Sequence, residues 1–247
     1  GKSNIQFVVG DFPTFGDSQT RAVGTPDEGK ISWEAGDELL LEVNSRTLGA
    51  KYATFTYNGN KWELTSGEPA YKEDEVPFIP HVYYAPNYKW ESGKLTLKEG
   101  KVPGMDEYIE GTAQITPNGE GITVSFSNAT RSYSRLRIAT IPNKAITVVT
   151  NKFVPAQGSG PIEVTYSLTS DNNGNAFLYG NFEESSSVTV KYEGTSLAAY
   201  KFSQATVKGK SYALDATVVS LADEAITFEQ IVEAVKNEFD AGKTNIN

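Results

Sequence analysis

Few residues in this sequence could perform acid–base or nucleophilic chemistry. His81, within PFIPHVYYAP, is the only histidine, and the 247 residues include no cysteine. A serine triad would need His81 as its base, yet the sequence contains no G-x-S-x-G nucleophile elbow. The lack of cysteine also excludes disulfides, thiolate zinc sites and cysteine nucleophiles. We therefore predict that the protein is not an enzyme and has no catalytic residues.

Two acidic clusters, EDE (73–75) and DEYIE (106–110), contain enough carboxylates for an acid–base pair. Glycoside hydrolysis requires two carboxyl groups at a set separation across a cleft, so solvated loops explain both clusters more simply. The stretch DNNGN (171–175) resembles a calcium loop, but its glycine comes at the fourth position instead of the sixth, and Phe182 occupies the twelfth. We predict a hairpin turn there, with no metal site and no cofactor.

The charge of the chain limits its partners. A net charge of −9 argues against nucleic acid as the main partner, because phosphate binding needs a dense basic face. No apolar run approaches the ~20 residues of a membrane helix, so we expect no direct membrane insertion. The segment RSYSRLR (131–137) suits a glycan or nucleic-acid surface if exposed, but we predict only a half-exposed strand. Its two faces would carry Arg131, Tyr133, Arg135 and Arg137 against Leu136 and Ile138.

Short β-branched or aromatic runs bounded by Gly, Pro and Asn recur along the chain and predict antiparallel sheets. Asn and Gly tolerate the positive φ of a type I′ turn, so the pairs at 58–59, 118–119 and 173–174 predict hairpins. The expected class is all-β, a β-sandwich fold. The predicted strands cover 37–44, 51–57, 94–97, 121–126, 134–140, 145–150, 162–168, 187–192 and 211–220.

One α-helix is predicted, over TFEQIVEAVKNEFDAG (227–242), where apolar residues recur at three and four positions. Thr227 and Gln230 form a capping box, and Gly242 ends the helix. The following KTNIN resembles the start of another strand. We therefore expect the native protein to continue beyond Asn247.

The domain boundary is predicted between 141 and 161, where IPNKA is followed by the linker-like PAQGSGP. The first predicted domain, 1–142, is an N-terminal β-sandwich. The second, 143–222, is a further β-sandwich of ordinary domain size. Residues 223–247 hold the helix and the start of a continuation.

Four aromatic motifs occur in a distinctive order: ISWEAGDELLLEV (31–43), TFTYNGNKW (54–62), VYYAPNYKW (82–90) and SYSRLRI (132–138). This order resembles the N-terminal domain of the fimbrillin-like proteins of Gram-negative anaerobes, over about residues 4–140. The resemblance implies two transthyretin-like β-sandwiches in tandem and export as a lipoprotein. It further implies a place in a fimbria or adhesin at the outer membrane, and no catalytic residues.

The resemblance also implies that the precursor is cut after an arginine, which frees an N-terminal strand and lets a strand from the next subunit replace it. Arg21-Ala22 lies where such a cut would fall, and the following GTPDEG (24–29) is turn-rich enough to enter a protease cleft. The alternative is that 10–30 merely connects two strands of one sheet.

The candidate displaceable strand lies upstream of this arginine. Ile5, Phe7 and Val9 alternate on one face, as a removable strand requires. Losing them would open an apolar groove and unpaired backbone groups, the two requirements for strand addition.

Three functions remain open. The first is a fimbrial subunit or adhesin whose partners are other subunits, joined by strand exchange, or surface glycans and proteins. The second is the N-terminal module of a larger surface protein, favoured by the predicted helix and the abrupt end. The third is a carbohydrate-binding or carbohydrate-cleaving protein with Trp33, Trp62 or Trp90 as a stacking platform, although core or edge packing explains all three more simply.

Overall fold

A computed structural model of the chain describes residues 5–17, 30–75, 79–119, 121–127 and 129–217. These residues contain β-strands and one 3-10 turn, Glu73–Glu75, so the all-β class is confirmed for this part of the chain. The strands are β1 (Ile5–Val9), β2 (Gly16–Asp17), β3 (Glu38–Ser45), β4 (Gly49–Tyr57), β5 (Trp62–Gly67), β6 (His81–Tyr84), β7 (Tyr88–Glu91), β8 (Lys94–Leu97), β9 (Ile109–Thr112), β10 (Gln114–Asn118), β11 (Gly121–Phe126), β12 (Ser134–Ala139), β13 (Ala145–Pro155), β14 (Ile162–Thr169), β15 (Asn175–Tyr192), β16 (Thr195–Lys201) and β17 (Lys210–Asp215).

The predicted helix at 227–242 lies outside the described residues. Within the described ranges, no helix has the length and hydropathy to cross a membrane.

The chain forms two compact units. Unit 1 comprises the described residues of Gly1–Thr14, Glu28–Val102 and Asp106–Arg131, and unit 2 those of Phe15–Asp27, Pro103–Met105 and Ser132–Asn247. The last division therefore falls after Arg131, before the predicted boundary region of 141–161. Strand β12 lies in unit 2 because it pairs with β15 on one side and β17 on the other.

Unit 1 contains a five-stranded sheet in the order β5-β4-β3-β6-β9, a three-stranded sheet in the order β1-β11-β10, and the hairpin β7-β8. The rings of Phe7 on β1 and Phe55 on β4 lie 4.5 Å apart, so the two larger sheets share one core. Close packing continues at β9, where a Cβ on Gly111 would lie 2.9 Å from the ring of Phe126. The core on this face also includes Leu39, Leu41, Val43, Val82, Ile109, Ile122 and Val124.

Unit 2 contains one seven-stranded sheet in the order β14-β13-β15-β12-β17-β2, with β16 paired to β15. Strand β15 is 18 residues long. Its residues 175–180 pair with β12 on one edge, and residues 180–182 and 187–191 pair with β13, the latter also being in the range that pairs with β16. The sheet therefore covers a single cluster of buried side chains that extends from Leu136 to Ala216.

The sequence predicts antiparallel sheets, but some pairs of strands in the structure are parallel. Strands β1 and β11, β12 and β17, and β17 and β2 pair in parallel. These partners are far apart in the sequence, and a long connection removes the geometric constraint that makes a hairpin antiparallel.

The predicted turns at 58–59 and 118–119 connect paired neighbours, β4 with β5 and β10 with β11. The hairpin predicted at the third turn is wrong, because the flanking strands β14 and β15 both pair with β13 and not with each other. The turn itself is tight: the carboxylate of Asp171 accepts hydrogen bonds of 2.9 Å from the N–H groups of Asn173 and Asn175. The turn therefore connects β14 and β15, which lie on either side of β13 in the sheet.

Candidate functional site: the contacts of the N-terminal segment

Strand β1 is one of the two edge strands of the three-stranded sheet. It runs parallel to β11, from Ile5 opposite Ile122 to Val9 opposite Phe126. Phe7 is buried, Ile5 and Val9 are half-buried, and the intervening side chains are exposed. The three residues of the candidate displaceable strand thus face the interior of unit 1, while Arg21 and Ala22 lie outside the described residues. Whether the strand is displaced stays a prediction.

The N-terminal segment, residues 5–17, remains in contact with unit 1 after β1 ends. The Gly10 N–H donates to the Phe126 carbonyl at 2.8 Å, and the Gly10 carbonyl accepts from the indole Nε1 of Trp33 at 2.8 Å. A Cβ at Gly10 would lie 3.0 Å from the Cβ of Ser127. Because this approach is closer than nearly all Cβ contacts, glycine suits the position.

Phe12 inserts its ring between aromatic and cationic side chains. The ring meets Trp33 edge-to-face at 4.9 Å and Tyr84 at 5.6 Å between centroids. Lys30 Nζ lies 5.4 Å and the Arg131 guanidinium 5.8 Å from the ring centroid. Both distances suit a cation–π interaction. We call this arrangement, together with Glu107, the Phe12 site.

A buried ion pair completes the Phe12 site. Arg131 Nε donates to Glu107 Oε1 at 2.8 Å, and Arg131 Nη2 donates to the other carboxylate oxygen. The two side chains are 2% and 8% exposed. Arg131 Nη1 also donates to the carbonyl of Pro13. Such a fork fixes the orientation of the guanidinium, so one donor stays directed at the N-terminal segment.

A titratable carboxyl adjoins this pair. Asp106 Oδ1 accepts a hydrogen bond of 2.7 Å from the Glu107 N–H. Burial raises the pKa of Asp106 to about 6, and the neighbouring Glu107 charge adds to the increase. The backbone next to the ion pair therefore carries a group that titrates in mildly acidic solution.

The next part of the segment contacts unit 2. Residues 16–17 form β2, which runs parallel to the start of β17. The Arg135 guanidinium lies 4.7 Å from the ring centroid of Phe15 and 4.9 Å from that of Phe177. Arg135 Nε donates to Ser211 Oγ at 2.9 Å. The segment therefore supplies a short edge strand and one stacked ring to this unit.

The prediction that RSYSRLR forms a half-exposed strand is wrong. Arg131, Arg135 and Arg137 are all buried. Strand β12 is an interior strand with neighbours on both sides, and its arginines are covered by aromatic rings or hydrogen-bonded, as Arg137 is to Asn175 Oδ1 at 3.2 Å. These residues therefore do not form an open glycan or nucleic-acid surface.

The other candidate chemical residues are dispersed. His81 on β6 lies opposite Glu42 on β3. Glu75, in the first acidic cluster, accepts hydrogen bonds from the hydroxyls of Ser45 and Thr47, which stabilise the loop after β3. In the part of the chain that the structure describes, no three His, Asp or Glu side chains group as metal ligands would.

The three tryptophans pack against other rings. Trp33 and Trp62 lie 5.2 Å apart, edge to face. Trp90 lies 4.6 Å from Tyr52 and donates its Nε1 hydrogen to the Ala53 carbonyl at 3.0 Å. All three side chains are half-buried, so each combines packing with some exposed ring surface.

No protein-family model matches the sequence, and no curated protein matches it significantly. Among solved structures, a proposed cell adhesion protein from Bacteroides fragilis is 11% identical with a TM-score of 0.48, over 91% of this chain and 95% of that chain. A proposed cell adhesion protein from Bacteroides eggerthii is 10% identical with a TM-score of 0.39, over 87% and 85%. The shaft pilin of Lactobacillus rhamnosus is 10% identical with a TM-score of 0.30, over 85% and 95%. At these identities and TM-scores, a functional proposal must rest on the residues of this chain.

Proposed function

We propose that the protein is a cell-surface fimbrial subunit or adhesin, exported as a lipoprotein precursor, whose N-terminal strand is displaceable. The fimbrillin-like order of its motifs supports the surface role. One observation supports displacement: among the described strands, β1 lies at an edge of its sheet and pairs only with β11. An edge strand can leave a sheet without breaking the pairing of the remaining strands.

Loss of the segment would prepare both units for a new strand. Removing β1 leaves β11 with an unpaired edge and opens the space that Phe7 fills beside Phe55. Removing β2 unpairs the outer edge of β17. A single cut after Arg21 separates both strands from the rest of the chain. An incoming strand from another subunit would then supply backbone hydrogen bonds and alternating apolar side chains.

Limited digestion with an arginine-specific protease tests this proposal. We expect preferential cleavage after Arg21, followed by oligomers detected by light scattering. Arg21→Ala should block both results, whereas Arg46→Ala, in the exposed turn between β3 and β4, should block neither. Resistance at Arg21 in the folded protein, or cleavage there without any oligomer, contradicts strand exchange.

We extend the proposal to a non-catalytic role, supported by the single histidine and the absence of cysteine from the sequence. A broad glycosidase and esterase screen should find no turnover. Turnover that is abolished by His81→Ala or by a single carboxylate substitution would overturn this part of the proposal.

A carbohydrate-binding role has one observation in its favour. Trp62, beside the β4–β5 turn, packs tilted against Tyr57 with ring centroids 5.0 Å apart and leaves part of its ring exposed. Sugars stack on such rings. A glycan array tests this role with Trp62→Ala and, as a matched control, Trp90→Ala. Glycan binding that is lost only in Trp62→Ala supports a carbohydrate-binding role. If no glycan binding depends on a tryptophan, the carbohydrate-binding role is contradicted.

A further inference from the structure

Phe12 and Pro13 follow β1 in the sequence. Side chains of unit 1 contact both residues, whereas β1 pairs with β11 through backbone groups. We propose that the Phe12 site is a recognition site for an aromatic residue in an extended peptide, with the chain's own Phe12 as its resident ligand. The inference deepens the proposed function and rests on it for the exchange of that ligand. On this proposal, the Phe12 site determines which peptide strand can bind to unit 1.

The first argument is the way the peptide backbone is bound. Trp33 and Arg131 donate side-chain hydrogen bonds to the carbonyls of Gly10 and Pro13, which are 23 and 118 residues away in the sequence. Between these two carbonyls, the Phe12 ring is buried. Backbone hydrogen bonds around a pocket for one side chain are the usual basis of peptide recognition.

The second argument is preorganisation. Glu107 binds two donors of the Arg131 guanidinium, and both side chains belong to unit 1 without the segment. If Phe12 and Pro13 leave, Arg131 loses the Pro13 carbonyl and the aromatic face while its charge stays in place. Losing a hydrogen bond and a ring contact at a buried charge is unfavourable, so the site favours a peptide that restores both contacts.

The third argument is chemical selectivity. Two cations, Lys30 and Arg131, face the Phe12 ring. Only an aromatic ring offers them the negative face of a quadrupole, whereas leucine offers only apolar area. By contrast, pairing with the edge of β11 uses backbone groups and does not discriminate among sequences.

The ligand class follows from the resident segment. Phe7 fills the core, Gly10 meets Ser127 at close approach, and Phe12 fills the aromatic and cationic site. The site should therefore accept an extended peptide with an apolar residue, a glycine three positions later, and an aromatic residue two positions after that. Residues 5–13 of a second copy of this chain meet this pattern.

Hydrogen exchange on the intact chain is the first test. Phe12→Ala should accelerate exchange in β1 by about a hundredfold, with β13 and β15 unchanged, because the lost contacts are local. Phe12→Tyr should stay within about threefold of wild type, and Phe12→Leu should behave like the alanine variant. Val8→Ala, at an exposed position, is the matched control. Protection that is unchanged in Phe12→Ala, or fully kept in Phe12→Leu, overturns the recognition site.

Peptide exchange is the second test. The folded chain is cut after Arg21, or at a protease site introduced there, and a labelled peptide of residues 4–15 is added. We expect the Phe12→Ala peptide to bind about thirtyfold more weakly and the Val8→Ala peptide to bind within about twofold of wild type. Equal binding of all three peptides overturns the recognition site but leaves strand replacement intact. If no peptide binds, strand replacement fails, and the exchange measurement on the intact chain alone decides the recognition site.

Discussion

The N-terminal segment contributes a core to one unit and only an edge to the other. In unit 1, Phe7 and Phe12 are 6% and 5% exposed, and five residues of β1 pair with β11. In unit 2, the segment supplies two residues of β2 and the half-buried ring of Phe15. Among the residues whose burial the structure describes, the buried cluster of unit 2, from Leu136 to Ala216, contains none from the segment. Unit 1 therefore depends on the segment for its interior, whereas unit 2 does not.

The two arginines that meet the segment show the same difference. Arg131 is paired with the carboxylate of Glu107 and directs a remaining donor at the Pro13 carbonyl. Arg135 is held within unit 2 by Phe177 and Ser211, and Phe15 adds a second ring. Removal of the segment takes a backbone acceptor and the Phe12 ring from Arg131, and it takes the Phe15 ring from Arg135, so we expect the larger loss of stability in unit 1.

The largest expected effect comes from the core of unit 2. Phe182 is buried, stacked at 4.5 Å on Phe202 and tilted at 4.6 Å to Phe153. Phe182→Ala should lower the free energy of unfolding of unit 2 by about 4 kcal/mol, because the truncation leaves a cavity. Denaturant unfolding with hydrogen exchange measures it, with the exposed Val207→Ala as control. Accelerated exchange in β1 would show that the units do not differ as described.

A somewhat smaller loss is expected in unit 1. Phe7→Ala should lower its free energy of unfolding by about 3 kcal/mol, since an edge position relaxes more easily than an interior one. Val8→Ala, on the same strand but exposed, should change it by less than about 0.5 kcal/mol. Exchange in β3, β4 and β11 reports the effect. If those strands keep wild-type protection, the segment is not part of the core of unit 1.

Strand positions were predictable because alternation is a local property of the sequence. Each predicted strand overlaps a strand of the structure, including 37–44 with β3 and 145–150 with β13. The pairing was less predictable, since periodicity does not say which strands are neighbours. The turn at 171–175 has hairpin chemistry, but its flanking strands are separated by β13. The burial of RSYSRLR was missed for the same reason, because it depends on rings from distant segments, such as Phe15 and Phe177 against Arg135.

The Phe12 site was not predictable from the sequence. Arg131 is 24 residues from Glu107 and 118 from Pro13, so no local spacing brings them together. The sequence offered one indication of the site: Phe12 is an aromatic residue within 10–30, a stretch that could also be interpreted as a simple connection between strands. The alternation of Ile5, Phe7 and Val9 was a stronger indication, because period-two patterning alone identifies an inward face.

Because the segment contributes only an edge to unit 2, we expect the loss of its contacts there to lower stability less than in unit 1. Phe15→Ala should lower the free energy of unfolding of unit 2 by about 1.5 kcal/mol, because one cation–π contact and part of a ring's burial are lost. Thr14→Ala, at the preceding exposed residue, is the control. Unfolding curves of both variants make the measurement. A loss as large as that of Phe182→Ala would place the segment in the core of unit 2.

The smallest effect concerns pH and is confined to unit 1. The pKa of Asp106 is raised from 3.8 to about 6, chiefly by burial, while Lys101, Lys98 and the hydrogen bond from the Glu107 N–H oppose the increase. The folded state therefore holds this proton more tightly than the unfolded chain does. The stability that the neutral carboxyl contributes is fully present only below about pH 3, where the unfolded chain is protonated too, and is lost as the pH rises through about 6.

Asp106→Asn removes this titration but keeps an Oδ1 acceptor for the Glu107 N–H. Near neutral pH, the variant should be more stable than wild type by about 1 kcal/mol, less than the full shift implies because the residue is only half-buried. At about pH 2.5, where the wild-type carboxyl is neutral in both the folded and the unfolded state, the difference should vanish. Unfolding curves across this range, with unit 2 as the internal control, decide the matter. If the difference in free energy of unfolding is the same at both pH values, the amide acts by changing the packing. In that case Asp106 does not make the surroundings of the Arg131–Glu107 ion pair sensitive to pH.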